Sequence, residues 1–296
     1  MKIVILGSIN MDIVIKTDVL PSQGETVVGN DFYTSYGGKG ANQAVAIGKM
    51  GIKPIFIGSV GNDVYGEEMV QSLSRNNVES SQIRKVEAIT GIAMITLYNS
   101  DNRIILFPSA NETITNNQVL DTISSLDEKT YFLTQFENNI DAVEYSLSLA
   151  KKRGMYTVLN PAPFKKADDS VYKGLDLLVL NKIECESIVN YKINTETKIE
   201  EALQAINKLG VRRTVLTLGS QGSILYLDRR IHRIKACKTN VVDTTCAGDS
   251  YIGALMSQLA YGKSYLEACE FAAKVASITV SRKGAQSSIP TFLEVI

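Results

Sequence analysis

The feature that most constrains this chain is an alternation between short runs that are apolar along their whole length and segments whose apolar residues recur at helical spacing. The runs are "KIVILGSI", "KPIFIGSV", "TYFLTQF", "MYTVLN", "LDLLVLN" and "RTVLTLG". Between several of them the apolar positions fall three or four apart, as in Ile140, Val143, Leu147 and Ala150, or Ile199, Ala202, Leu203, Ile206 and Leu209. A strand apolar on both sides must be covered on both sides. The pattern therefore predicts an α/β fold: a doubly wound, mostly parallel central sheet with helices on both faces. A chain of 296 residues, 45% of them hydrophobic, suffices for one such domain spanning 1–296. The opening run "MKIVILGSIN" is interrupted by Asn10 and Asp12 and reads as the first strand, not as a secretory leader.

Two stretches break the rhythm. "DIVIKTDVLPSQGETVVGNDFYTSYGG" and "TGIAMITLYNSDNRIILF" carry strand patterns with no helix between them, the second a hairpin turning at Asn99 to Asn102. They predict a small β appendage drawn from about 11–36 and 90–108. A flap over a site and an edge extension of the main sheet are both open at this point.

Charge and cysteine usage remove several classes of function. With 31 basic and 31 acidic residues, no overall field favours nucleic acid or an anionic membrane surface. Cys185, Cys237, Cys246 and Cys269 show no paired metal spacing and suit a reducing, cytoplasmic setting. A single histidine, His232, argues against His-based triads and His-rich metal sites. No apolar run approaches the length of a bilayer span. No G-x-G-x-x-G follows the first strand, which argues against a nicotinamide-dependent dehydrogenase.

Parallel sheets bind ligands beyond the carboxyl ends of their strands. There stand Asn10 and Asp12, Glu137, Asn160, Asn181 and Glu184, and Gly219 to Gly222. The stretch "GGKGAN" at 37–42 precedes a helical pattern; its glycines allow close backbone approach, and Lys39 and Asn42 can donate to hydroxyls or phosphate. It is not a Walker A loop. "DTTCAGD" at 243–249 has small residues before a helix, so the N–H groups of Cys246, Ala247 and Gly248 can converge on an anion. Asp249 at its mouth is placed either to take a proton from an attacking hydroxyl or simply to complement the helix dipole. This stretch alone leaves both open.

Together "GSINMD", "PSQGETVVG", "GGKGANQAVAIGKMG", "LNPAP", "NKIE", "TLGSQGS", "DTTCAGDS" and "SRKGAQSSIP" resemble the ribokinase-like (phosphofructokinase-B type) carbohydrate kinase family along the whole chain. The D-T-x-x-A-G-D signature marks the wider family, while "GGKGANQ" and "RKGAQ" resemble its ribokinase branch. The resemblance implies ATP-dependent phosphorylation of the primary hydroxyl of D-ribose to ribose 5-phosphate. It implies sugar contacts at Asn10, Asp12, Gly38, Lys39, Asn42, Glu137 and Asp249, with Asp249 also the general base. Nucleotide contacts are implied at Asn181, Glu184, Thr217, Gly219, Gly222 and Gly248, and an anion hole at Cys246, Ala247 and Gly248. Glu184 completes an N-x-x-E motif linked to Mg2+, which should bridge the phosphates largely through water. A K+ site is implied at Asp243, Thr245, Thr279, Arg282, Gly284 and Ser288, with Arg282 contributing its carbonyl. The β appendage would be a lid that pairs with the lid of a second subunit.

This sequence departs from the family in two places. Cys246 stands where Gly or Ala is usual: either a tolerated small residue, or a thiol of lowered pKa at a helix N-terminus and so open to oxidation. Ala273 falls where a larger polar residue can flank the adenine, so other purine triphosphates could serve. A family member acting on another sugar, a deoxysugar or a nucleoside, and a catalytically idle sensor, are the competing expectations.

Overall fold

The computed structural model describes residues 1–98 and 101–296. The chain forms strands β1 (Lys2–Leu6), β2 (Asn10–Lys16), β3 (Asp31–Gly37), β4 (Ile55–Gly61), β5 (Ile83–Val86), β6 (Gly91–Tyr98), β7 (Asp101–Phe107), β8 (Thr130–Gln135), β9 (Tyr156–Asn160), β10 (Leu177–Asn181), β11 (Thr214–Thr217), β12 (Ser223–Leu227) and β13 (Arg230–Ile234). Its helices are α1 (Lys39–Lys49), α2 (Val64–Arg75), α3 (Asn116–Ile123), α4 (Ile140–Lys152), α5 (Lys182–Val189), α6 (Glu196–Lys208), α7 (Ala247–Ala260) and α8 (Tyr265–Thr279).

Nine strands make the main sheet, in the order β13-β12-β11-β10-β9-β8-β1-β4-β5. All neighbours are parallel except β12 with β11 and β13 with β12. The opening run is thus a strand deep in the sheet, paired with β8 on one side and β4 on the other. Its side chains alternate between two cores. Ile3 and Ile5 point into the layer under α1, α2, α7 and α8, while Val4 and Leu6 point into the layer under α3 to α6. All four are fully buried, a gain of about 2 kcal/mol apiece. Continuous apolar runs are therefore the signature of a sheet covered twice, as the sequence predicts. The edge hairpin β12–β13 is not evident from the sequence: its turn at Asp228 and Arg229 takes φ of 50° and 61° without the glycine that normally flags such turns. His232 lies half-buried on β13.

The smaller sheet has the order β3-β2-β6-β7. It grows out of β1 through the short link Gly7 to Ile9, so Asn10 and Asp12 stand at the seam between the two sheets. The pairing of Tyr98 with Asp101 joins β6 and β7 as a hairpin. The turn expected from Asn99 to Asn102 falls in part on residues 99 and 100, outside the described residues. Among the described residues no helix is long and apolar enough to cross a membrane.

Candidate active site

Every polar residue singled out at a strand end lies along the carboxyl edge of the main sheet, and two close backbone approaches gather them. At the start of α1, Gly40 lies against Gly7 of the β1 exit, where any Cβ would collide with backbone. Farther along, Gly253 of α7 lets that helix settle on Ala46 of α1 with no side chain between. α1 is consequently buried from Gly40 to Gly48, and its first turn is wedged between β1, β8 and the start of α7.

Glu137, just past β8, sits at the N-terminus of α1. Its Oε2 accepts from the Lys39 N–H at 2.9 Å, from Ser8 Oγ at 2.5 Å and from Asn10 Nδ2 at 3.4 Å. The anion thus meets the positive end of a helix. Asp12 on β2 is 8% exposed, and no protein donor among the described residues reaches its carboxylate. Burial, with the Glu137 and Asp249 charges added, pushes its pKa up to about 7. Lys39 projects among these acids. Burial by itself would lower its pKa, but Asp249, Glu137 and Glu184 outweigh that and hold it protonated.

Asp249 is the third residue of α7 and is 7% exposed. Its Oδ2 accepts from Asn42 Nδ2 at 3.1 Å and its Oδ1 from Gln43 Nε2 at 3.0 Å. Immediately before it, the N–H of Ala247 closes a turn onto Thr244 O at 3.3 Å. Among the described residues, the N–H groups of Cys246 and Gly248 find no protein acceptor. Beyond its chain neighbours and its own helix backbone, nothing stands within 4 Å of where a Cβ on Gly248 would be. Two amides without a protein acceptor and a buried carboxylate thus meet at one helix start, an arrangement that can hold an anion and take a proton beside it.

Cys246 caps α7 with φ of 66°, in the left-handed region that costs an ordinary residue about 1–2 kcal/mol and a glycine nothing. Of the two readings of Cys246, the tolerated small residue fits and the low-pKa thiol does not: burial, then the Asp249 charge, raise the thiol well above its ordinary value. The helix N-terminus does not compensate, because this side chain points into the core layer and not along the axis towards solvent.

Among the residues implied for a nucleotide, Asn181 ends β10 and caps α5, and Glu184 closes a capping box with it. Asn181 Oδ1 accepts from the Glu184 N–H at 2.9 Å, while the two Glu184 oxygens accept from Asn181 N and Nδ2, both at 2.8 Å. Burial raises the Glu184 pKa against the opposing pull of the Asn181 N–H and of Lys39. Thr217 ends β11, with its hydroxyl on Leu180 O at 3.3 Å. Gly219 opens onto space free of protein. Gly222 is required by the fold itself, since with φ of 89° it packs on Ile234 O. Ala273 is buried on α8.

The residues implied for a monovalent cation also converge. Asp243 ties two loops together, its Oδ1 accepting from Thr245 N at 2.9 Å and its Oδ2 from Gly284 N at 3.0 Å. The Thr279 hydroxyl donates to Val275 O and that of Ser288 to Ala285 O, so both oxygens keep lone pairs. Arg282 commits its guanidinium to Glu294 at 2.7 Å. Among the described residues, no three of His, Cys, Asp and Glu cluster as a metal site.

Five residues in the site were not singled out as site residues from sequence: Ser8, Gln43, Asn111, Gln135 and Gln286. Asn111, fully buried, grips Ile9 through both backbone groups and donates to Asn10 Oδ1 at 2.8 Å. Gln286 donates to Asn42 Oδ1 at 3.3 Å. Ser8 and Gln135 stand at strand ends, and Gln43 and Gln286 lie in the quoted motifs, which are usable signals; Asn111 carries none. A groove of about 580 Å3 around Lys129, Tyr131, Tyr156 and Arg212 lies at the opposite edge of the sheet. Chemistry, not volume, marks the site.

The same architecture is found in known carbohydrate kinases. A ribokinase from Schizosaccharomyces pombe is 37% identical, with 99% of this chain and 96% of that protein covered. A crystal structure of ribokinase from Thermotoga maritima superposes with a TM-score of 0.90 at 32% identity, covering 99% of this chain and 97% of that one. The structure of Arabidopsis thaliana ribokinase complexed with ribose and ATP superposes with a TM-score of 0.90 at 29% identity and the same coverage. The family model described as pfkB family carbohydrate kinase matches residues 1–292. This chain belongs to the pfkB family of carbohydrate kinases.

Proposed function

We propose that this protein transfers the terminal phosphoryl group of ATP to the primary hydroxyl of D-ribose, giving ribose 5-phosphate and ADP. One observation carries the reading: the Asp249 carboxylate and the free N–H groups of Cys246 and Gly248 share one helix start, opposite the polar seam of Asn10, Asp12 and Glu137. A hydroxyl held there loses its proton to Asp249 as its oxygen bonds to the phosphorus, and the bridging oxygen leaves with ADP. The amides of Cys246 and Gly248 stabilise the charge on the moving group, and Ala247 completes the turn that aims them. Asn10, Asp12, Gly38, Lys39, Asn42 and Glu137 offer a mixture of donors and acceptors suited to a polyol, and a sugar lacking a hydroxyl leaves one of them unpaired.

Asn181, Glu184, Thr217, Gly219 and Gly222 line the nucleotide side. Glu184 and Asn181 are the residues that would hold Mg2+ there, and the ion would supply charge neutralisation at the phosphates. K+ fits the oxygens of Asp243, Thr245, Thr279, Arg282, Gly284 and Ser288, and would fix the loop bearing the amides without touching substrate. The smaller sheet acts as a lid. Its paired rows place Phe32, Met94 and Ile105 on one face and Tyr33 and Ile104 on the other, all exposed. Apolar surface on both faces supports pairing with the lid of a second subunit; light scattering giving a strict monomer with and without ribose would remove that part.

Asp249→Asn tests the assignment. Turnover should fall by about 10²- to 10⁴-fold, while calorimetry shows ribose binding within a few-fold. Turnover close to that of the unaltered protein would refute the base. A screen in which a deoxysugar or nucleoside outperforms ribose would move the substrate within the family.

A further inference from the structure

Behind Asp249 lies a chain of buried amides. Asn160 Nδ2 donates to Val179 O at 3.0 Å, and Gln43 Nε2 donates to Asn160 Oδ1 at 3.1 Å and to Asp249 Oδ1 at 3.0 Å. Gln135 Nε2 donates to Gln43 Oε1 at 2.7 Å. Gln43 and Gln135 are fully buried and Asn160 is 5% exposed. The sense of this chain is fixed at its far end. A backbone carbonyl only accepts, so Asn160 must turn its NH2 to Val179 and its oxygen to Gln43. Gln43 must then present its NH2, leaving its own oxygen for Gln135. The arrangement leaves Gln135 Oε1 buried without a partner, a cost that packing alone gives no reason to keep.

We propose that Gln43 is a positioning residue for the reaction: locked in one orientation by the Val179 carbonyl through Asn160, and by Gln135, it aims a neutral donor at Asp249 Oδ1. This rests on Asp249 being the base. With Asn42 on Oδ2, both carboxylate oxygens are held by amides and neither by a cation, so the group is oriented yet still able to accept a proton. A cation in direct contact would orient it equally well and weaken it as a base. Charged and titratable groups facing Asp249 from the surrounding elements are Asp12 on β2, Lys39 on α1, Glu184 on α5 and Cys246 before α7.

The test uses Gln43→Met, nearly isosteric and without a donor, and Gln43→Glu, which sets a second carboxylate against Asp249. Rates are taken at saturating ATP and ribose, so that titration of Asp12 in sugar binding does not enter. Gln43→Met should lower kcat by about 10²-fold with KM for ribose within a few-fold, as expected when a reacting group is displaced by about 1 Å. In Gln43→Glu the acid limb of kcat should move up by about one pH unit or more. A merely structural glutamine would leave kcat undiminished in folded Gln43→Met; that result, or an unmoved limb in folded Gln43→Glu, overturns the proposal. If like charges prevent Gln43→Glu from folding, Gln43→Met alone decides. Asp249→Asn run alongside separates the two failures: turnover surviving there sinks the base itself, whereas turnover lost there with Gln43→Met fully active sinks only the relay.

Discussion

Asp12 offers a quantitative test because its environment carries a thermodynamic consequence. Its pKa is raised from the ordinary 3.8 to about 7, first by burial and then by Glu137 and Asp249. The unfolded chain releases this proton near pH 4, while the folded protein keeps it until about pH 7. Between those limits the native state holds the extra proton, so the contribution of Asp12 to stability is greatest below pH 4 and is lost as pH rises to about 7. At about 1.4 kcal/mol per pH unit, the segment from pH 5 to pH 7 removes on the order of 3 kcal/mol. Asp12→Asn keeps the shape and removes the titration. Followed by calorimetric melting from pH 5 to pH 8, the variant should gain on the unaltered protein by about 6 °C, taking about 2 °C per kcal/mol for a chain of this size. Sugar hydroxyls donating to Asp12 favour its ionised form, so ribose binding at pH 6 should release close to one proton, read from titrations in buffers of different ionisation enthalpy. A melting difference independent of pH, together with no proton release, would refute both the burial argument and the role of Asp12 as a sugar acceptor.

Further outcomes concern the loop before α7. Cys246→Gly should stabilise the protein by about 1 kcal/mol in denaturant unfolding, the relief of a left-handed cysteine less the entropy of a glycine; a loss of stability would contradict the strain. Alkylation at neutral pH should reach half-buried Cys237 well before fully buried Cys246, and the reverse order by mass mapping would revive a reactive thiol. Asp243→Asn should chiefly reduce activation by K+, and an unchanged K+ response would count against that site.

Much of this was legible before any coordinates. The six apolar runs are β1, β4, β8, β9, β10 and β11, because continuous apolarity is what burial on two faces demands. Polar residues at their carboxyl ends, Asn10, Asp12, Glu137 and Asn181, could be placed at one edge for the same reason. Other features depend on contacts that sequence order does not encode. Gln43 meets Asp249 across 206 positions, and Gln286 meets Asn42 across 244. β5 is four residues long with exposed Arg84 and Lys85 at its centre, so no run announces it. Cys246 shows how local reasoning fails: its place at a helix start is visible in the sequence, but its direction, into the core, belongs to the packing of α7 on α1.

The central claim is that this edge of the sheet moves a phosphoryl group onto a pentose. ADP formation with ATP and D-ribose, followed with K+ present and absent and with the product identified by phosphorus NMR, tests it most directly. The account predicts ribose 5-phosphate as the product and a faster rate with K+. No ADP formation with ribose in either condition, from protein shown to be folded, would contradict it.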